Sequence, residues 1–157
     1  MVVDAVSELG PPLYRYFRCS FPAFVAADLT QDCLLRLLEK CRDGKFDPTK
    51  GTLRMYAFGI AHFVRMEQKK APAVLESAEP VAKDADLVER LTLRKAIAEL
   101  PPAEQEVVLL LVDKDLMLAE IAEILSLPVN TVKSHVHRAK QKLKILLGQE
   151  GSQHGRT

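Results

Sequence analysis

Apolar positions in this chain return every three or four residues rather than every second one, the period of helices that bury one side. Leu29, Cys33 and Leu37 form one stripe, and Leu93, Ala96, Ile97 and Leu100 form another that stops at Pro101 and Pro102. Val107, Val108, Leu111 and Val112 form a third, and Leu118, Ile121, Ala122 and Leu125 a fourth. The last helix starts around Pro128, whose fixed φ suits a first helical turn, and would bury Val132, Val136, Ala139, Leu143 and Leu146. No stretch shows the alternation of a half-buried strand, so the expected fold is all-α.

Two interruptions divide the pattern. Gly44, Asp47, Pro48 and Gly51 mark a loop within the first half. Pro72 and Pro80, with the acids Glu76, Glu79, Asp84 and Asp86, mark a longer break poor in large apolar residues. The expected organisation is two small helical domains, residues 8–71 and 93–147, joined by a flexible acidic linker, 72–92, and followed by a disordered tail, 148–157. Each unit is near the lower limit for an independently stable core, so each would need a partner or the other unit. Only Ser126 and Leu127 lie between the Leu118–Leu125 stripe and the last helix. So short a turn forces the helices to cross steeply, and small Ala122 permits the approach; this is a helix-turn-helix.

Composition narrows the classes. A hydrophobic content of 48% over 157 residues argues against a disordered chain. The longest apolar run, Val107 to Val112, is far too short to span a bilayer, and Asp4 and Glu8 stand where a signal peptide carries basic residues. The expectation is a cytoplasmic protein with no membrane insertion. Cys19, Cys33 and Cys41 are odd in number, lack metal-ligand spacing and read as packing residues, so no metal is expected. A Gly-rich phosphate loop, a His/Cys/Asp cluster at ligand spacing and a nucleophile motif are all missing, so the sequence predicts no enzyme, no catalytic residue and no cofactor.

The formal net charge of +1 conceals a segregated arrangement. Glu99, Glu104, Glu106, Asp113, Asp115, Glu120 and Glu123 share one stretch with Lys114 alone against them, whereas Lys133, Arg138, Lys140, Lys142 and Lys144 follow with no acid among them. In a helix-turn-helix the second helix enters the major groove, which would aim Asn130, Thr131, Lys133, Ser134, His135, His137 and Arg138 at bases or phosphates. A bidentate Lys133 or Arg138 contact to guanine discriminates by roughly 1–3 kcal/mol, while Lys140, Lys142 and Lys144 would add salt-sensitive phosphate affinity. The plainer reading is a solvated basic face, against which stand the turn length and the apolar stripe together. His135 and His137, two apart on a helix, cannot converge on a metal. In the first half, Leu35 sits opposite the Leu29 stripe, ringed by Asp28, Gln31, Asp32 and Glu39, in the manner of a protein-binding patch. Asp28 and Asp32 could also suggest a carboxylate metal site, but Arg36 one turn on favours a protein contact.

The segment LPPAEQEVVLLLVDKDLMLAEIAEILSLPVNTVKSHVHRAKQKLKILL closely resembles the promoter-binding domain four of extracytoplasmic-function (ECF) sigma factors of bacterial RNA polymerase, and AEIAEILSLPVNTVKSHVHRAK is its specific part. The TVKSH core also resembles LuxR-type DNA-binding regulators, the alternative reading, but those need a sensor or receiver domain for which no strand–helix alternation is found. DLTQDCLLRL is similar to the sigma segment that docks on the polymerase clamp helices, and FDPTKGTLRMYAFGIAHF resembles the promoter-melting segment after it.

The resemblance implies a sigma factor that binds core RNA polymerase through the largest-subunit clamp helices and the flap, directs it to promoters and helps open the DNA. It implies Asp28, Gln31, Asp32, Leu35 and Arg36 as polymerase contacts. It implies Phe46, Lys50, Arg54, Tyr56, His62, Phe63, Arg65, Lys69 and Lys70 as contacts to the minus-ten element. Asn130, Thr131, Lys133, Ser134, His135, His137, Arg138 and Lys140 would read the minus-thirty-five element. Stacking on Tyr56, Phe58, His62 or Phe63 would be worth roughly 1–3 kcal/mol per base. Core packing should claim at least two of Tyr56, Phe58 and Phe63. The acidic linker would lie where nascent RNA exits, and an anti-sigma factor or other regulator is the expected further partner. Ser126 departs from the usual turn Gly, Tyr56 from Trp, Phe63 from Asn and Glu67 from Asp; loss of an amide at position 63 removes a base-edge reader.

Overall fold

The computed structural model describes residues 2–70 and 85–150, with side chains over 3–69 and 92–148. Among the described residues every regular element is an α-helix. They run α1 (Val2–Ser7), α2 (Gly10–Arg18), α3 (Ala23–Arg42), α4 (Leu53–Lys70), α5 (Ala85–Ala98), α6 (Pro102–Leu111), α7 (Leu118–Leu125) and α8 (Val129–Glu150). Residue 71, most of the expected linker (72–84) and the tail from 151 lie outside the described residues, while α5 begins within the linker's last part and α8 runs on through the first three residues of the expected tail.

The first unit is built from α1 to α4. Prolines at the start of α2 donate no hydrogen bond where none is needed, and Leu13, Tyr16 and Phe17 follow on one buried face. Tyr16 meets Phe17 and Phe58 edge-on, with ring centroids 5.2 and 5.7 Å apart. Leu29, Cys33 and Leu37 of α3 are buried beside them, as the stripe predicts. Burial pushes the Cys33 thiol up to about 12 and raises Cys19 as well, which keeps both protonated and suits a packing role. Helix α1, too short to announce itself by period, closes this core with Val6.

Local chemistry fixes the helix ends. After α3 the chain turns left-handed at Gly44 (φ 72), and the N–H groups of Gly44 and Lys45 reach back to Cys41 and Lys40. In the loop beyond, Asp47 accepts from the Thr49 amide and hydroxyl at 2.9 and 2.6 Å, which holds its carboxyl below its ordinary value. Thr52 then caps α4 by accepting the Met55 N–H at 3.1 Å.

In the second unit α6, α7 and α8 pack together, with α5 against α6 and α8. Helix α6 is covered on several sides, so Leu109 and Leu110 are buried along with Val107, more than a single stripe would bury. Ile97, Ile121, Ala122 and Val132 extend the core, which is continuous with that of the first unit where α4 lies on α7. The two units therefore pack on each other, the second of the two solutions their small size permits.

Candidate nucleic-acid interface

The turn between α7 and α8 repeats the geometry after α3 without a glycine. Ser126 stands at φ 56, ψ 45, and the Ser126 and Leu127 N–H groups return to Glu123 and Ala122. Glu120 accepts the Met117 N–H at 2.9 Å and so caps the start of α7. With both ends of α7 fixed, α8 buries Val132 and Ala139 and turns its polar side outward. Asn130, Lys133, Ser134, His137, Arg138 and Lys140 are exposed; Thr131 and His135 are half-buried. Arg138 Nη2 lies 3.3 Å from His135 Nδ1, which ties two of the expected base-facing residues together. The expected readers thus share one accessible basic face.

The melting-segment residues are divided between two environments. Phe46 and Tyr56 are half-buried with ring centroids 5.4 Å apart, Phe58 is wholly buried, and Phe63 is 57% exposed. Core packing therefore claims Phe58 and much of Tyr56 and leaves Phe63 to solvent. Tyr56, Ile60 and Phe63 line a cleft of about 680 Å3 whose other wall includes Ile124 of α7. Lys50 is exposed in the loop, and the Lys70 side chain lies outside the described residues.

The cations of α4 point elsewhere. Arg54 Nη1 donates to both carboxylate oxygens of Asp113 at 2.8 and 2.7 Å, and its Nη2 is 3.5 Å from Asp115. Arg65, expected as a phosphate partner, is 2% exposed: its Nη1 donates to Glu106, its Nε to Ser20 and its Nη2 to Gln105. His62 Nδ1 sits 3.3 Å from Glu106, a contact that becomes an ion pair on protonation, and Lys69 Nζ is 3.7 Å away. Burial would raise the Glu106 carboxyl, but the adjacent His62 and the hydrogen-bonded Arg65 guanidinium outweigh it and hold the group at about 2. Thr52 donates to Glu120 at 2.9 Å, a further tie between the units. On α8, Lys142 Nζ donates to the buried Glu104 at 3.1 and 2.8 Å, with Arg138 Nε 3.8 Å from the same carboxylate. Sequence reasoning noticed this acidic stretch but not its partners, which lie far along the chain.

On α3, Leu35 is 59% exposed, with Asp28, Gln31 and Glu39 exposed around it. Arg36 is held by Asp32 at 3.0 Å and by Glu67 of α4 at 3.1 Å, so the patch is braced across two helices. Among the described residues no helix is long and apolar enough to cross a membrane, and no group of three or more His, Cys, Asp and Glu could hold a metal.

An exposed basic second helix after a three-residue turn, joined to a four-helix unit, defines a helix-turn-helix protein of two α-helical units. Residues 90–143 match the family model for sigma-70, region 4. A segment of 53 residues is 40% identical to the ECF RNA polymerase sigma factor SigW of Bacillus subtilis, covering 34% of this chain and 28% of that relative. The whole fold is similar to CnrH, solved in complex with the cytosolic domain of CnrY (TM-score 0.74, 22% identity, 93% of this chain and 86% of that one). It is also similar to RpoE, solved with the anti-sigma factor NepR from Bartonella quintana (TM-score 0.66, 22% identity, 92% and 96%). The chain thus carries a sigma-70 region 4 segment and spans 28% of the length of the curated relative it matches. At 22% identity the two solved structures show the fold alone, and the region 4 match does not favour the LuxR-type alternative.

Proposed function

We propose that this protein is a sigma factor in action as well as in fold: it binds core RNA polymerase, directs it to particular promoters and helps open the DNA. The observation that carries the reading is the pairing, on one chain, of the exposed α8 face with the acid-ringed Leu35 on α3. The first suits duplex DNA and the second suits a protein partner, and a free-standing regulator would need only the first. In this reading residues 8–71 form sigma domain two, 72–92 the linker and 93–147 sigma domain four. Asp28, Gln31, Asp32, Leu35 and Arg36 meet the polymerase clamp helices. Residues 129–142 read the minus-thirty-five element, and residues 46–70 capture the minus-ten element.

No catalytic step belongs to the chain. Opening draws on binding energy, since base capture offsets the few kcal/mol lost on unstacking. Phe63, exposed over the cleft, offers a face for stacking but no amide to read a base edge. The protein works in the cytoplasm with the polymerase, and regulation by an anti-sigma factor is expected, as CnrH and RpoE were solved in such complexes or with a cytosolic partner domain. The test is reconstituted run-off transcription with purified bacterial core polymerase on a promoter library. Promoter-selective transcripts that require this protein are expected; a protein that fails to bind core enzyme, yet shifts a promoter fragment unaided, would reinstate the free-standing regulator.

A further inference from the structure

We infer that His135 and Glu104 are positioning residues for Arg138: they hold one edge of its guanidinium and leave the other edge free for a base. The inference rests on the reading of the exposed α8 face as the DNA reader. A guanidinium is a planar fork of five N–H donors with two edges that can pair. The side edge is made by Nε–H and the nearer Nη2–H, and the end edge by one hydrogen each of Nη1 and Nη2. Arg138 Nη2 lies 3.3 Å from His135 Nδ1, and its Nε lies 3.8 Å from a carboxylate oxygen of Glu104. Both contacts fall on the side edge, one from the preceding turn of α8 and one from α6. The end edge meets no acceptor among the described residues. Two parallel donors there match O6 and N7 of guanine.

The two acceptors act differently. Because a guanidinium only donates, His135 Nδ1 accepts, and the ring proton then sits on Nε2. His135 is half-buried and stands three residues before Arg138, where side chains of one helix meet, so its ring offers an acceptor at a set place. Glu104 is 4% exposed, and its closest partner is Lys142, whose Nζ donates to the two oxygens at 3.1 and 2.8 Å. Arg138 and Lys142 are one turn apart on α8, so the carboxylate lies against both cations. Its close pairing with Lys142 leaves Arg138 a looser contact, which aligns the side chain without sequestering it. A long side chain surrenders rotamer freedom on meeting DNA; one aligned beforehand surrenders less, and the gain is confined to the base pair that Arg138 reads. His135, expected from the sequence as a base contact, thereby acts through Arg138.

The experiment uses the full chain with bacterial core polymerase and a duplex library randomised over the upstream promoter element; sequencing of the bound duplexes gives a preference at each position. Arg138→Ala should abolish a guanine preference of about tenfold at one position, which identifies the base pair it reads. His135→Leu, which keeps bulk but removes the acceptor, should weaken the preference at that same position about threefold. His135→Asn, whose amide oxygen can stand near the place of Nδ1, should retain most of it. In an Arg138→Ala background His135→Leu should change nothing further at that position. Glu104→Gln should lower the same preference in part; should it fail to fold by circular dichroism, the His135 variants decide. In the free protein, nuclear magnetic resonance should find the Arg138 Nε–H more mobile in His135→Leu than in His135→Asn. A preference unmoved by His135→Leu, a loss at a different position, a loss that adds to that of Arg138→Ala, or equal Arg138 mobility in the two His135 variants overturns the proposal. Failure of the sigma-factor reading is seen separately: the unaltered protein then enriches no duplex, while the difference in Arg138 mobility persists.

Discussion

Replacing Ser126 by Gly should stabilise the second unit. At φ 56, ψ 45 a side chain crowds the following carbonyl, at a cost of about 1–2 kcal/mol for an L-residue. Glycine removes that strain but loses about 0.5–1 kcal/mol through its freer unfolded chain. The difference leaves about 0.5–1 kcal/mol in favour of Gly, or about 2–3 °C in the melting temperature of a domain of this size. Ser126→Val should move the other way, because a β-branched residue at positive φ is a strong outlier. The reciprocal change at the matching turn, Gly44→Ala at φ 72, should lose about 1 kcal/mol. Thermal and urea melts followed by circular dichroism read all three. If Ser126→Gly melts below the unaltered protein while Ser126→Val melts with it, the assignment of strain to this turn is refuted.

Three further outcomes are expected. Leu35→Ala should weaken core-polymerase capture while leaving the melt within about 0.5 kcal/mol, as befits an exposed residue; a co-purification yield equal to that of the unaltered protein would count against the α3 patch. Arg138→Ala should cut promoter-selective binding by about 1–3 kcal/mol and affinity for random duplex much less, whereas equal losses on both would make it a phosphate contact. The Glu106 carboxyl, lowered from 4.5 to about 2, adds stability of about 3 kcal/mol that is complete above pH 4.5 and disappears as pH falls towards 2. Melts between about pH 5 and 2.5 should therefore show a smaller acid-induced drop for Glu106→Gln, and an identical drop would assign the acid sensitivity to other groups.

The elements most legible in the sequence were those whose partners lie nearby. Helix α8 was readable because Val132 and Ala139 sit on one stripe next to exposed Lys133 and Lys140, and both stripe and charges are local properties. The α3 stripe and the exposed Leu35 were readable for the same reason. Helix α1 was not, since six residues give less than two turns in which a period could appear. Helix α6 was only half legible: its stripe forecast Val107, but Leu109 is buried too because neighbours cover the helix on several sides. The substitution of Ser126 for Gly changes the occupant of the turn without changing the turn, because the Leu127 N–H still reaches Ala122 across it at 2.9 Å.

What escaped the sequence is the pairing of charges. Arg65 and Glu106 are 41 positions apart, Arg54 and Asp113 are 59, and Lys142 and Glu104 are 38. No helical period links residues so distant, so a basic stretch and an acidic stretch look like two independent surfaces until packing superimposes them. The consequence is energetic as well as geometric. An exposed Lys or Arg is available to phosphate at little cost, whereas Arg65 is itself buried against the half-buried Glu106, and stranding one member of a buried pair costs about 3–5 kcal/mol. In the proposed reading Arg65 would therefore meet a phosphate only at the cost of that pair. Lys133 and Lys140 are exposed, so in the same reading the outer face of α8 is the surface open to a duplex without that penalty.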